Sequence, residues 1–171
     1  AMIKKLKSQV TQLHNSQMSI KISMNSLYGA TANVYFLYYI MEFAEAITVS
    51  GQLSIRWAQK SVNEYLNKLL KTEGEDYIVY IDTDSIYVNF GPLVKQLQPN
   101  DPVKFIDDAC NAKFQPMLQK AYDDMFVKMN AFDNRMVMER EVIADKAVWT
   151  AKKRYIMNVH NSEGVQYAEP K

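Results

Sequence analysis

With a single cysteine, Cys110, the chain cannot close an internal disulfide, and its two histidines, His14 and His160, are too few for a zinc site of the ordinary kind. Any metal bound here must therefore be held by oxygen. No stretch is long and uncharged enough to cross a bilayer or act as a secretory signal, so the sequence reads as that of a soluble, intracellular protein with no membrane partner. Internal repeats and low-complexity runs are missing as well. The net charge of +1 excludes little, because a basic stripe on a neutral domain can still bind a polyanion. What is present is an ordinary globular composition, 48% apolar and 23% charged over 171 residues, enough for one domain, or one domain with a small appendage, that buries a real core. The charges are segregated. Lys4, Lys5 and Lys7 crowd the start, Lys152, Lys153 and Arg154 stand together late in the chain, and acid pairs occur at Asp107-Asp108 and Asp123-Asp124.

Ile3, Leu6, Val10, Leu13, Ile20, Met24 and Leu27 recur at helical spacing, which predicts a long amphipathic helix over about residues 3–28, ended by Gly29. "NVYFLYYI" then reads as extended. A second helix is expected over about 42–71, burying Ile55, Ala58, Val62, Leu66 and Leu69. "DYIVYI" and "DSIYVNF" are rich in residues that suit a pleated surface and read as two strands joined by a very tight turn. A loop with at most one helical turn follows. Asp101-Pro102 supplies a cap and first-turn proline for a third helix to about residue 129, kinked at Pro116. Three extended pieces close the chain: "RMVMEREVIA", "AVWTAKKRYIMNV" and "GVQYAEP". The expected fold is α+β, a mainly antiparallel sheet with helices packed on one side and the first helix projecting as an arm.

Two groups of side chains carry possible chemistry. Asp82 and Asp84 flank Thr83 at the strand junction. Aspartate favours tight turns for purely local reasons, by bonding nearby backbone amides. Alternatively, a hairpin tip that gathers two carboxylates makes an anionic, oxygen-only site suited to magnesium, and a nearby cation would keep both ionised. Lys21, Asn25 and Tyr28, at i, i+4 and i+7, share one helical face, continued backward by His14 and Lys7. Such a row suits a triphosphate, although a solvated face looks the same. Glu139 and Glu141 fall two apart on a predicted strand and read as a charged, solvated face or as acids near a metal. Met117, Met125, Met129, Trp57 and Trp149 read as packing.

These residues resemble a known family. "KISMNSLYG", residues 21–29, is similar to motif B of the family B DNA polymerases, "YIDTDS", residues 80–85, to their motif C, and "KKRY", residues 152–155, to the motif of that name. The three occur in the family's order, and the connecting text resembles the replicative enzymes of T-even-like bacteriophages over nearly the whole chain. The resemblance implies a palm with a fingers helix: residues 1–30 as the C-terminal helix of the fingers, and 31–171 as the later portion of the palm. It implies DNA-directed DNA synthesis from dNTPs on primer-template DNA, with two Mg2+ ions, in the cytoplasm of an infected bacterium. Asp84 would ligate the metals with Asp82 in support. Lys21 and Asn25 would meet the nucleotide phosphates, and Tyr28 would sit by the nascent base pair. Lys152, Lys153 and Arg154 would touch primer or template from the minor-groove side, with Tyr155 packing behind. Two departures stand out: Ile81 occupies a position where the family usually has glycine, and Thr31-Ala32 replaces a segment that often holds another.

Motif A, which supplies another essential aspartate in that family, does not occur in these residues, nor do exonuclease or thumb segments. Met2 behind Ala1 resembles an initiator methionine after a cloning scar. This suggests a split enzyme, and an engineered piece or a degraded viral remnant would look the same; the chain is expected to be inactive alone, to need a complementary polypeptide that carries motif A, and to self-associate through a bare apolar palm surface. A non-catalytic DNA-binding or assembly fragment is the competing reading. Another palm-type enzyme, such as a reverse transcriptase or nucleotide cyclase, leaves Lys21 and Asn25 without a role.

Overall fold

The computed structural model describes residues 2–171, so Ala1 lies outside it. In chain order the elements are α1 (Met2–Thr31), α2 (Met41–Leu70), β1 (Ile78–Asp82), β2 (Ser85–Val88), α3 (Gly91–Leu97), α4 (Pro102–Ala109), a π-helical turn (Cys110–Phe114), α5 (Gln115–Lys128), β3 (Val142–Ala151), β4 (Arg154–Ser162) and β5 (Val165–Gln166). Two units are distinguished, one up to Ser50 and one from Gly51 onward. The fold is α+β, and every strand pairing is antiparallel. The strands form two small sheets, β1-β2 and β3-β4-β5, in place of one continuous sheet.

In the first unit, α1 carries its apolar stripe along its length, yet none of its described residues is buried. It runs past Gly29 to Thr31, whose hydroxyl donates to the Tyr28 carbonyl at 2.7 Å. Open space surrounds Gly29 where a Cβ would stand, so nothing local makes that glycine a stop. The segment expected to be extended, 33–40, is a chain of tight turns: the amides of Asn33, Phe36 and Tyr39 donate to the carbonyls of Ala30, Asn33 and Phe36. Asn33 sets this course, because its side-chain oxygen accepts from the Tyr35 amide at 3.0 Å, the local bond that draws asparagine into turns.

The core lies in the second unit. Ala58, Val62 and Leu66, one turn apart on the later half of α2, pack with Tyr77 and Ile78 at the start of the β1 hairpin and with Phe114, Leu118, Tyr122 and Met125 of the π turn and α5. Ile55 is also buried, whereas Leu69 is exposed and Leu70 packs against the core instead. Of the three methionines expected inside, Met117 and Met125 are there, and Met129 is 45% exposed beyond the end of α5. Trp57 packs against the core and faces the Lys128 ammonium, 4.9 Å from its ring.

Asp101 caps α4 by accepting from the Lys104 amide at 3.1 Å, as its place before Pro102 predicts. The kink expected at Pro116 takes the form of the π turn just before it. Proline cannot donate to the fourth carbonyl back, and a wider turn accommodates that missing bond without ending the helix. The loop after β2 holds α3, seven residues long, where at most one turn was expected.

A buried ion pair ties the helices to the second sheet. Arg140 is only 12% exposed and pairs with Asp107 of α4, while its other terminal nitrogen donates to the side chain of buried Asn161 on β4 at 2.9 Å. Cys110 lies in the same environment, and burial pushes its thiol up to about 11. The expected strand from residue 135 begins only at Val142, and before it the Met136 amide is taken by the Asn134 side chain at 3.1 Å.

Truncating the core should be costly: Leu66→Ala is expected to lower stability by about 2–5 kcal/mol in urea unfolding. Acid should weaken the fold too. Backbone and amide donors hold the Asp76 carboxyl below its usual value, the Ile78 amide first and Asn63 next, and Asn158 does so for Asp145. The stability these groups contribute is complete above the ordinary carboxylate range and lost as pH falls through their lowered values, so the urea midpoint should hold from neutrality to about pH 5 and decline below about pH 4.

Candidate functional site

The β1-β2 hairpin is short, and a bulge decides what its two faces carry. Ile78 pairs with Val88, Tyr80 with Tyr87, Ile81 with Ile86, and Asp82 with Ser85, with an irregularity between Ile78 and Tyr80. Strict alternation would put Ile78 and Tyr80 on one face. The extra residue, Val79, reverses that parity, so Ile78 and Ile81 join Ile86 and Val88 against the core. Tyr80 then shares the opposite face with Tyr87, their rings 5.6 Å apart. Asp82, the residue after Ile81, falls on this aromatic face.

At the tip the ladder closes in the tightest way available. The Asp84 amide donates to the Asp82 carbonyl at 2.6 Å, making a three-residue turn with Thr83 at φ +50°. Left-handed backbone is strained for a β-branched residue, a cost of order ~1–3 kcal/mol that the two core-bound strands must hold in place. The Thr83 hydroxyl donates to Asp82 Oδ1 at 3.0 Å, and the Ser85 hydroxyl donates to the Asp82 carbonyl at 3.1 Å. Asp82 is half-buried and Asp84 exposed. Among the described residues neither carboxylate has an ion-pair partner.

The second sheet brings the basic run to the same place. Lys152 and Lys153, expected inside one extended piece, form the turn between β3 and β4, with Lys153 at φ +61°. Trp149 and Tyr155 pair across this hairpin, and their rings meet those of the first. Trp149 lies 5.7 Å from Tyr80 and 5.4 Å from Tyr87, and Tyr155 lies 5.6 Å from Tyr87. The Lys153 amide donates to the Tyr80 hydroxyl at 3.4 Å. Desolvation pushes the Tyr87 phenol up to about 12, with the Tyr155 hydroxyl and the Asp82 charge adding to the rise and Ser85 opposing it. Lys152, Lys153, Arg154 and Tyr155 are all exposed, and the three cations form no ion pair among the described residues.

The second unit thus joins Asp82, Asp84 and the 152–155 run at one locus. Lys21, Asn25 and Tyr28 belong to the first unit, where they lie exposed along α1 in line with Lys7 and His14. Glu139 and Glu141 are exposed on the irregular run before β3, not on a strand. No group of three acidic, histidine or cysteine side chains that could hold a metal occurs among the described residues. Two unpaired carboxylates nevertheless suit magnesium, which takes one or two carboxylates and completes its shell with water and phosphate oxygens.

Residues 1–169 match the DNA polymerase family B, and the chain belongs to that family. It is 39% identical over 170 residues to the DNA-directed DNA polymerase of Escherichia phage RB69, an alignment covering 91% of this chain and 19% of that protein. To the DNA-directed DNA polymerase of Enterobacteria phage T4 it is 38% identical over 184 residues, covering 99% of this chain and 20% of the other. The DNA polymerase delta catalytic subunit of Drosophila melanogaster is 33% identical over 86 residues, half of this chain and 8% of its own length. The chain therefore spans about a fifth of the length of its phage relatives.

The tip and its support should respond oppositely to glycine. Thr83→Gly removes left-handed strain and is expected to leave stability unchanged or raise it by up to about 1 kcal/mol, whereas Ile81→Gly strips a core side chain and should cost about 2 kcal/mol or more in the same unfolding assay.

Proposed function

We propose that this chain is part of a DNA-directed DNA polymerase, joining a dNTP to a primer 3′ hydroxyl on a DNA template in the cytoplasm of an infected bacterium. The observation that carries the reading is the ring contact between the hairpin that ends in the acidic tip and the hairpin that ends in the basic turn, in a chain of this family. α1 is the fingers helix and residues 31–171 are palm. Segments beyond these residues supply motif A, the exonuclease and the thumb.

Each group then has a role set by its chemistry. Asp84, with Asp82 beside it, would hold the magnesium ions; when bound, two such ions activate the primer hydroxyl and steady the charge on the transferring phosphoryl group. The Thr83 and Ser85 hydroxyls fix Asp82 so that its charge stays where the strands place it. Lys21 provides a compact cation and Asn25 an amide for the nucleotide phosphates, and Tyr28 offers a ring that checks base-pair shape without reading sequence. Lys152, Lys153 and Arg154 bind the DNA backbone at the primer end, and Tyr155 backs them.

The 171-residue chain alone is expected to extend no primer, because half of the metal ligands are missing from it. Mixed with polypeptide supplying motif A, exonuclease and thumb, it should restore templated incorporation. In that mixture Asp84→Asn should reduce synthesis to background while DNA binding, read by fluorescence anisotropy, is kept. Incorporation that survives Asp84→Asn would defeat the assignment. Alone, the chain should self-associate through the exposed apolar side chains of α1 and of residues 34–49, Tyr35 at 94% exposure among them, giving a light-scattering mass above the 19.8 kDa of a single chain.

A further inference from the structure

The two hairpins of the site share no backbone ladder, since β1-β2 and β3-β4-β5 are separate sheets. They are joined by the bond from the Lys153 amide to the Tyr80 hydroxyl and by a set of rings, one from each strand: Tyr80 of β1, Tyr87 of β2, Trp149 of β3 and Tyr155 of β4. Tyr87 meets Trp149 and Tyr155 edge to face, and Tyr80 meets Tyr87 and Trp149 at tilted angles with centroids 5.6 and 5.7 Å apart, contacts that hold a geometry as well as burying area. The Trp149 indole N–H is buried with no acceptor.

Position along the strands makes the set mechanically informative. Tyr80 lies two residues before Asp82, about 7 Å of strand, and Tyr87 lies two after Ser85, so the rings sit one step behind the acids on the same face. Trp149 and Tyr155 flank the 152–153 turn in the same way. Both bulges matter here: the one at Val79 turns Tyr80 to the ring face, and the irregularity between Trp149 and Ala151 adjusts the other hairpin next to its turn.

From this geometry, and resting on the metal and DNA roles just given to the tip and the turn, we propose that Tyr80 and Trp149 are positioning residues. Their rings fix the distance between the acidic tip and the basic turn, and the Tyr80 hydroxyl fixes the turn's backbone at Lys153. A polymerase site needs its metal and its primer-terminus contacts in constant register, and these ring contacts are direct contacts of the two hairpins.

Amide relaxation caused by Mn2+ measures the distance directly in the folded 171-residue chain. In the native chain Mn2+ should broaden the amides of 82–86 and, through space, those of 152–155. In Trp149→Leu the broadening at 82–86 should remain while that at 152–155 falls severalfold. Tyr80→Phe, which keeps the ring and removes only the acceptor, should lower the effect at Lys153 and preserve it at Tyr155; this milder variant decides the matter if Trp149→Leu does not fold, as its amide spectrum would reveal. Unchanged broadening at 152–155 in the variant that folds would overturn the positioning role while leaving the metal assignment standing. Absence of broadening at 82–86 in the native chain would instead overturn the metal assignment, and the positioning role with it.

Discussion

Two carboxylates, Asp82 and Asp84, are forced together at the closed end of a hairpin whose strands are clamped to the core on one face. Among the described residues neither acid forms an ion pair, and neither do the cations of the 152–154 run. Like charges so placed are stable in company with an external cation. The rest of the locus follows from that constraint. The turn is strained at Thr83, the residue between the two acids, and the hydroxyls of Thr83 and Ser85 bond Asp82 while Asp84 is exposed.

The strain is sustained by packing. Leu66 and Val62 of α2, Phe114 of the π turn and Leu118 of α5 pack with the inner face of the hairpin, and Ile81, two residues from the tip, belongs to that packing. Its identity is thereby explained. Where the family usually has glycine, this chain has a branched side chain, and the Val79 bulge directs it to the core and away from the face that bears Tyr80 and Asp82. Arg140, bridging Asp107 and Asn161, ties the helices to the second sheet from the other end.

Much of this was legible in the sequence. Periodicity located α1 and α2 to within a few residues, alternation and turn chemistry located the β1-β2 hairpin, and Asp101-Pro102 marked the start of α4. Three features were not legible, each for a physical reason. The turn at Lys152-Lys153 carries neither glycine nor asparagine, so nothing local announced the left-handed residue that splits one apparent strand into two. Arg140 read as a solvated charge because its partners, Asp107 and Asn161, lie 33 and 21 residues away. The aromatic set depends on a bulge that shifts parity by one, and no alternation rule detects an extra residue from composition alone. Motif likeness supplied the site residues that periodicity could not rank.

The central claim is that the acid pair holds a divalent cation beside the basic turn. Crystals of the chain soaked in Mn2+ and measured at the manganese absorption edge test it most directly. The account requires an anomalous peak bonded to the Asp82 and Asp84 carboxylates, with the 152–154 turn on the same side of the hairpin. A map with no peak there, or with the ion bound elsewhere while these carboxylates stay empty, would contradict it.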